Sequence, residues 1–247
     1  MLPLLKGSTT MPPDLTMLDG LALGGLLLVW GGYTVGLERF WRRPFAVNQH
    51  LRGLRVRWIR AMLGREMRLI DSQLVGHTMS SVTFFASTTA LILAALLGLL
   101  GNVDHLHAVV SGLRFVIATS PELFEAKLMV LTALFIYAFF QFTWALRQYN
   151  YTCALLGAAP PAPLEPEHRD ALAETIASVM SHAVTSLNSG LRAYYFALAV
   201  LAWFIHPALF LGMVLAVGAV LVWRQLWSGT AGAIVRHVAI LDQIDPL

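Results

Sequence analysis

Charge is scarce in this sequence. Only 13% of its 247 residues are Asp, Glu, Lys or Arg, against about 25% in an ordinary soluble domain. Together with 57% hydrophobic residues and a mean hydropathy of +0.66, this excludes a soluble globular domain. It also excludes intrinsic disorder, which requires low hydrophobicity. Cysteine is scarcer still. Cys153 alone rules out a disulfide framework and a zinc finger or ribbon. Enzyme signatures are missing too: there is no phosphate-cradling glycine loop, no HExxH, no GxSxG and no paired carboxylates deep in an apolar run. His105 and His107 are two residues apart, share no helix face and have no third ligand nearby. No catalytic residue, bound metal or cofactor is therefore expected, and Cys153 reads as an inert thiol.

What the sequence does have is long apolar runs. A transmembrane helix needs about 20 apolar residues to cross roughly 30 Å of hydrocarbon. The pattern predicts an all-α integral membrane helical bundle of four or five transmembrane helices, in one domain over 1–247. The spans are about 15–37, 72–100, 128–147, 183–205 and 207–224. The count turns on Ala193–Trp223, which as one helix would be about 46 Å long. His206-Pro207 lies near its middle, and proline breaks helices while restricting the residue before it. Two spans meeting there is the preferred reading; one kinked span is the alternative.

Arginine placement sets the orientation. Nine arginines fall between Arg39 and Arg68. With five spans, Arg147, Arg169, Arg192, Arg224 and Arg236 join them on the cytoplasmic side, leaving Lys6, Arg114 and Lys127 outside. Four spans would move Arg224 and Arg236 across and weaken the bias. The expected location is a bacterial inner membrane, multi-pass, with the N-terminus outside and the C-terminus cytoplasmic. The first apolar run is too long for a signal peptide and is expected to remain as the first helix.

Residues 48–68 interleave Leu51, Leu54, Trp58 and Met62 with arginines, the pattern of an amphipathic helix on a membrane surface. Arg39, Arg42, Arg43, Arg52, Arg55, Trp58 and Arg60 are the residues expected to meet anionic lipid headgroups. Because two spans bracket this segment closely, its basic character does not point to nucleic acid. In the 101–127 loop, the apolar Leu113–Ala118 stretch suits a short interfacial helix. The proline-rich 157–168 stretch is a break, and a helix is expected from Glu167 onward, where acidic residues favour a helix start. His77-Thr78-Met79-Ser80-Ser81-Val82 and His182-Ala183-Val184-Thr185-Ser186-Leu187 suggest a weak parallel repeat.

Some of these residues carry a family resemblance. Gln73 and then Thr83-Phe84-Phe85-Ala86-Ser87 follow a basic segment containing Arg57-Trp58, and the third span ends in Arg147-Gln148-Tyr149-Asn150-Tyr151. Over roughly residues 20–240 the chain resembles the membrane family called domain of unknown function 599. The family often has Arg-Asn where this chain has Gly76-His77. The resemblance implies a multi-span membrane protein and supplies no activity, substrate or cofactor.

Ionisable residues within spans are costly and mark candidate sites. The candidate substrate-binding set is Asp71, Gln73, His77, Arg147, Gln148, Asn150, His182 and Arg192. His77 and His182 could in principle ligate a haem, though paired helical histidines more often only hydrogen-bond. The leading functional expectation is a non-enzymatic accessory or structural subunit of a membrane assembly, as a homo-oligomer or within a larger complex. The alternative is a small-solute or ion transporter or channel, with a cytoplasm-facing vestibule lined by Asp71, His77, Arg147 and Arg192.

Overall fold

The computed structural model describes residues 14–34, 47–114 and 116–244, and every regular element among them is helical. They are α1 (Met17–Gly32), α2 (Val47–Leu63), α3 (Leu69–Leu100), α4 (Val103–Ser111), α5 (Pro121–Gly157), α6 (Pro166–Leu201), α7 (Pro207–Leu226) and α8 (Gly229–Ile244). Arg39, Arg42 and Arg43 lie outside the described residues.

Local sequence sets the helix ends. The Thr16 hydroxyl accepts from the Asp19 backbone N–H, and the Asp19 carboxylate accepts from the Thr16 N–H, a reciprocal capping box that opens α1. Ser120 caps α5 by accepting from the Leu123 N–H, with Pro121 in the first turn, where a missing N–H costs nothing. The chain does break at His206-Pro207. A single 3-10 turn at Ala202–Phe204 follows α6; His206 is then extended, and its ring accepts from the Ala208 N–H to start α7.

The connection after α3 differs from expectation. Its helix is α4, ended by Gly112, and not Leu113–Ala118. Beyond Gly112 the Ile117 N–H bonds to the Ile205 carbonyl at 3.2 Å, which holds this stretch against the α6–α7 turn instead of in a helix of its own.

Helices α1, α3, α5, α6 and α7 alternate in direction. At one end of the bundle the starts of α1, α5 and α7 meet the end of α6. At the other, Arg68 at the start of α3 donates to the Ala159 and Pro160 carbonyls just beyond α5, at 3.1 and 2.7 Å. This second end is the arginine-rich one. Three stretches are long and apolar enough to cross a membrane: Leu69–Leu100, Pro121–Gly157, and Pro207–Ile244, which comprises α7 and α8. α1 is apolar but shorter, with 16 residues. α6 falls short because its first half is charged, carrying Glu167, Arg169, Asp170 and Glu174, and its more apolar second half still holds Asn188 and Arg192.

α5 and α6 have 37 and 36 residues. At 1.5 Å per residue each is about 55 Å long, well beyond a hydrocarbon core of about 30 Å. α2 packs on α6 at the arginine-rich end. Val56, Ile59, Met62 and Leu63 of α2 are buried with Ala173, Ile176 and Ala177 of α6. Of the apolar stripe read from the sequence, Met62 is buried in this contact, Trp58 is half-buried and hydrogen-bonds Asp71, and Leu51 and Leu54 are half-buried. The arginines of α2 are likewise engaged: Arg52 with Glu174 at 3.1 Å, Arg60 with Asp170 at 2.8 Å, Arg57 with Asp242 of α8, and Arg55 with the Ser181 hydroxyl at 2.9 Å. Burial holds the Arg55 guanidinium below its ordinary pKa, with Tyr149 nearby acting in the opposite sense.

α5 and α6 pack closely along their length. A Cβ at Gly190 would lie 2.5 Å from the Phe142 ring. Phe142 is fully buried and stacks on Phe85 of α3, with ring centroids 5.5 Å apart. Gly218 of α7 makes a similar approach to Val29 of α1, at 2.6 Å.

Candidate functional site

Besides Arg57 of α2, which pairs with Asp242, buried charge marks three places in the bundle, and two of them serve the fold. At the end opposite the arginines, Asp19 is 1% exposed and accepts from the Trp203 indole N–H at 2.5 Å. Lys127 is equally buried; it donates to the Trp203 carbonyl at 3.1 Å and lies over the indole, 5.5 Å from its centroid. Asp14 joins this end by accepting from the backbone N–H and hydroxyl of Ser120. Desolvation raises the Asp14 pKa, but these hydrogen bonds outweigh it and hold the carboxyl below its usual range. The cluster ties α1 and α5 to the α6–α7 turn. Sequence reading left Asp19 and Lys127 unassigned, because their partner Trp203 lies 184 residues from Asp19 and 76 from Lys127.

The second place is Asp71, 1% exposed. It accepts from the Trp58 indole at 2.7 Å and from Arg65 at 2.8 Å, which fixes the turn from α2 into α3. Trp58, expected at a lipid surface, is therefore a protein-facing hydrogen-bond donor. Asp71 pairs with Arg65, and not with Arg147 or Arg192.

The third place is a cavity of about 220 Å³ at the arginine-rich end. α6 contributes Asn188, Leu191, Arg192 and Tyr195, at the three- and four-residue steps that form one helix face. α7 contributes Leu221, Arg224 and Gln225 by the same spacing, and Tyr33 enters from the end of α1. Arg192 is 6% exposed, donates to the Ser189 hydroxyl at 2.8 Å and sits 5.4 Å above the Tyr33 ring. The Tyr33 hydroxyl donates to the Gln225 amide oxygen at 3.0 Å, and Arg224 donates to the Tyr195 hydroxyl at 3.3 Å. Two guanidiniums thus face one cavity together with two phenols and two amides. Such a lining has the chemistry to suit an anion, since arginine presents a rigid fork of donors matched to carboxylate or phosphate.

Of the candidate set, only Arg192 lines this cavity. Gln73, His77, Arg147, Asn150 and His182 are exposed on the single chain. Gln148 is half-buried and accepts from the Ser186 hydroxyl at 3.2 Å, linking α5 to α6. Asp71, His77, Arg147 and Arg192 are therefore not gathered into one vestibule, because they fall on different faces of α3, α5 and α6. Among the described residues no cluster of three or more His, Cys, Asp or Glu is placed to hold a metal. Arg224, Asn188, Tyr195 and Gln225 were legible only as spacing along two helices; nothing in the sequence says that those two faces meet at Tyr33.

No curated protein and no solved structure matches the chain. The family model for DUF599, described as a protein of unknown function, matches residues 21–230 of the 247, and the chain belongs to that family.

Proposed function

We propose that the chain is a non-enzymatic, multi-pass membrane protein of the transport class, binding a small anionic group in the cavity between Arg192 and Arg224. The carrying observation is two arginines from two helices facing one cavity, within a chain that is otherwise poor in charge. The alternation of α1, α3, α5, α6 and α7 supports five spans. The arginine bias supports a cytoplasmic position for this end, with the N-terminus outside, in a bacterial inner membrane. Glycerol phosphate is a suitable probe. A ligand that binds only the folded state stabilises it by about 2.7 kcal/mol at a hundred times its Kd, so the thermal midpoint in neutral detergent should rise with glycerol phosphate. Arg224→Gln should remove most of that rise. Proteoliposomes should then take up the labelled anion faster with wild type than with Arg224→Gln. If neither the midpoint nor uptake responds, the reading is wrong.

A second reading, as a subunit of a membrane assembly, finds support in α3. Only 22% of its most apolar window is buried within the chain, and its outward side carries Gln73 and His77. A second copy of this chain is the partner that suits this face. An amide and a neutral imidazole each donate and accept, so such a face is complementary to itself across a two-fold axis. Native mass in mild detergent tests this: a stoichiometric homo-oligomer supports it, and a monomer across the accessible concentration range sinks it.

A further inference from the structure

Beside the two-arginine cavity lies a second one of about 220 Å³, lined almost wholly by apolar surface. It runs along α7 past Met213, Ala216, Val217 and Val220, and it shares Tyr195, Leu221 and Arg224 with its polar neighbour. The two cavities therefore meet at one junction, with charge on one side and hydrocarbon on the other. Trp223 and Trp227, both exposed, stand at the same level near the end of α7. Tryptophans at that position mark the membrane–water interface, the depth at which a lipid headgroup sits.

We propose that the two cavities form one site for an anionic amphiphile, with its headgroup between Arg192 and Arg224 and one acyl chain along α7. This rests on the anion-binding reading of the polar cavity and adds the chain. Charge at one end favours an amphiphile over a partner helix: the apolar groove opens directly onto Arg224 and the polar cavity. Position favours it as well, because the groove begins at Arg224 and Tyr195 and continues toward the middle of α7.

The test uses three probes that share parts: lysophosphatidic acid, glycerol phosphate (the same headgroup without the chain) and monoacylglycerol (the chain without the charge). Each is titrated against the full chain in neutral detergent, and bound copies are counted by native mass spectrometry. The expected result is one lysophosphatidic acid per chain, held at least about tenfold more tightly than either other probe, a difference of about 1.4 kcal/mol. Ala216→Trp fills the groove and should remove the advantage over glycerol phosphate. Met213→Trp does the same from one turn earlier on α7, should the first variant fail to fold. Arg224→Gln should weaken lysophosphatidic acid and leave monoacylglycerol unchanged. If lysophosphatidic acid and glycerol phosphate bind alike and the tryptophan variants do nothing, the chain site is wrong and the anion reading survives. If glycerol phosphate does not bind and Arg224→Gln alters no probe, both fall. If Ala216→Trp instead dissociates an oligomer without changing lipid binding, the groove belongs to a protein partner and the amphiphile site is overturned.

Discussion

Single residues in this protein separate buried charges that tie helices together from one that also lines a cavity. Asp19, Lys127 and Asp71 close their hydrogen bonds on neighbouring elements, whereas Arg192, bonded to Ser189 and stacked on Tyr33, also borders the cavity it shares with Arg224. Trp203→Phe keeps an aromatic ring beside Phe210 and deletes one donor to a buried carboxylate. It should cost about 1–3 kcal/mol, read as a lower midpoint in a denaturant titration of the detergent-solubilised protein. A midpoint equal to wild type would show that Asp19 finds another partner. Asp14 gives a pH prediction. Its folded pKa lies below the unfolded value of about 3.9. Its contribution is therefore full above the unfolded value and is lost as pH falls through the folded one. The stability gap between wild type and Asp14→Asn should be constant above about pH 5 and shrink toward pH 3. A gap that stays flat over that range would contradict the assignment.

Among helices, contact decides what composition cannot. Gly76 and Gly190 are both mid-helix glycines. A Cβ at Gly76 meets nothing within 4 Å, whereas one at Gly190 strikes the buried Phe142 ring. Gly76→Ala should stabilise α3 by up to about 1 kcal/mol through helix propensity. Gly190→Ala should destabilise by about 1–3 kcal/mol through overpacking. Thermal midpoints of the two variants shifting in the same direction would refute the α5–α6 packing described. The hydroxyl-rich stretch of α3 has a local explanation. Thr78, Ser80, Ser81 and Thr83 donate to carbonyls one turn back, at 2.9 to 3.4 Å, so their O–H groups are satisfied without a partner helix. Gln73 and His77 are too long-reaching and too polar for that explanation to cover them.

For the whole molecule, self-association through the outer face of α3 can be tested directly. Gln73→Leu with His77→Leu should leave the isolated chain folded. If copies associate there, the homo-oligomer should weaken several-fold, at roughly 0.6 kcal/mol for each interhelical polar contact. Native mass measured against protein concentration checks this, and an unchanged dissociation midpoint would remove α3 from any interface. α2 belongs to this scale too. Its arginines and apolar residues were readable as an amphipathic helix, but periodicity gives only a face and never the material that covers it. Lipid and the side of α6 are equally apolar to such a pattern.

By itself the sequence determined the class of this protein: helical, apolar, poor in charge, broken at His206-Pro207, with arginine concentrated toward one end. Those features are local or compositional, and hydrogen-bond satisfaction in hydrocarbon permits few other answers. Tertiary structure alone decided which charges are ties and which face a cavity. In the sequence Lys127 reads as an external loop cation and Arg192 as a cation within a span, yet both prove buried. Lys127 meets Trp203, while Arg192, held by Ser189 and Tyr33, borders a cavity with Arg224, 32 positions along the chain. That pairing depends on how α1, α6 and α7 meet, and no local pattern encodes it.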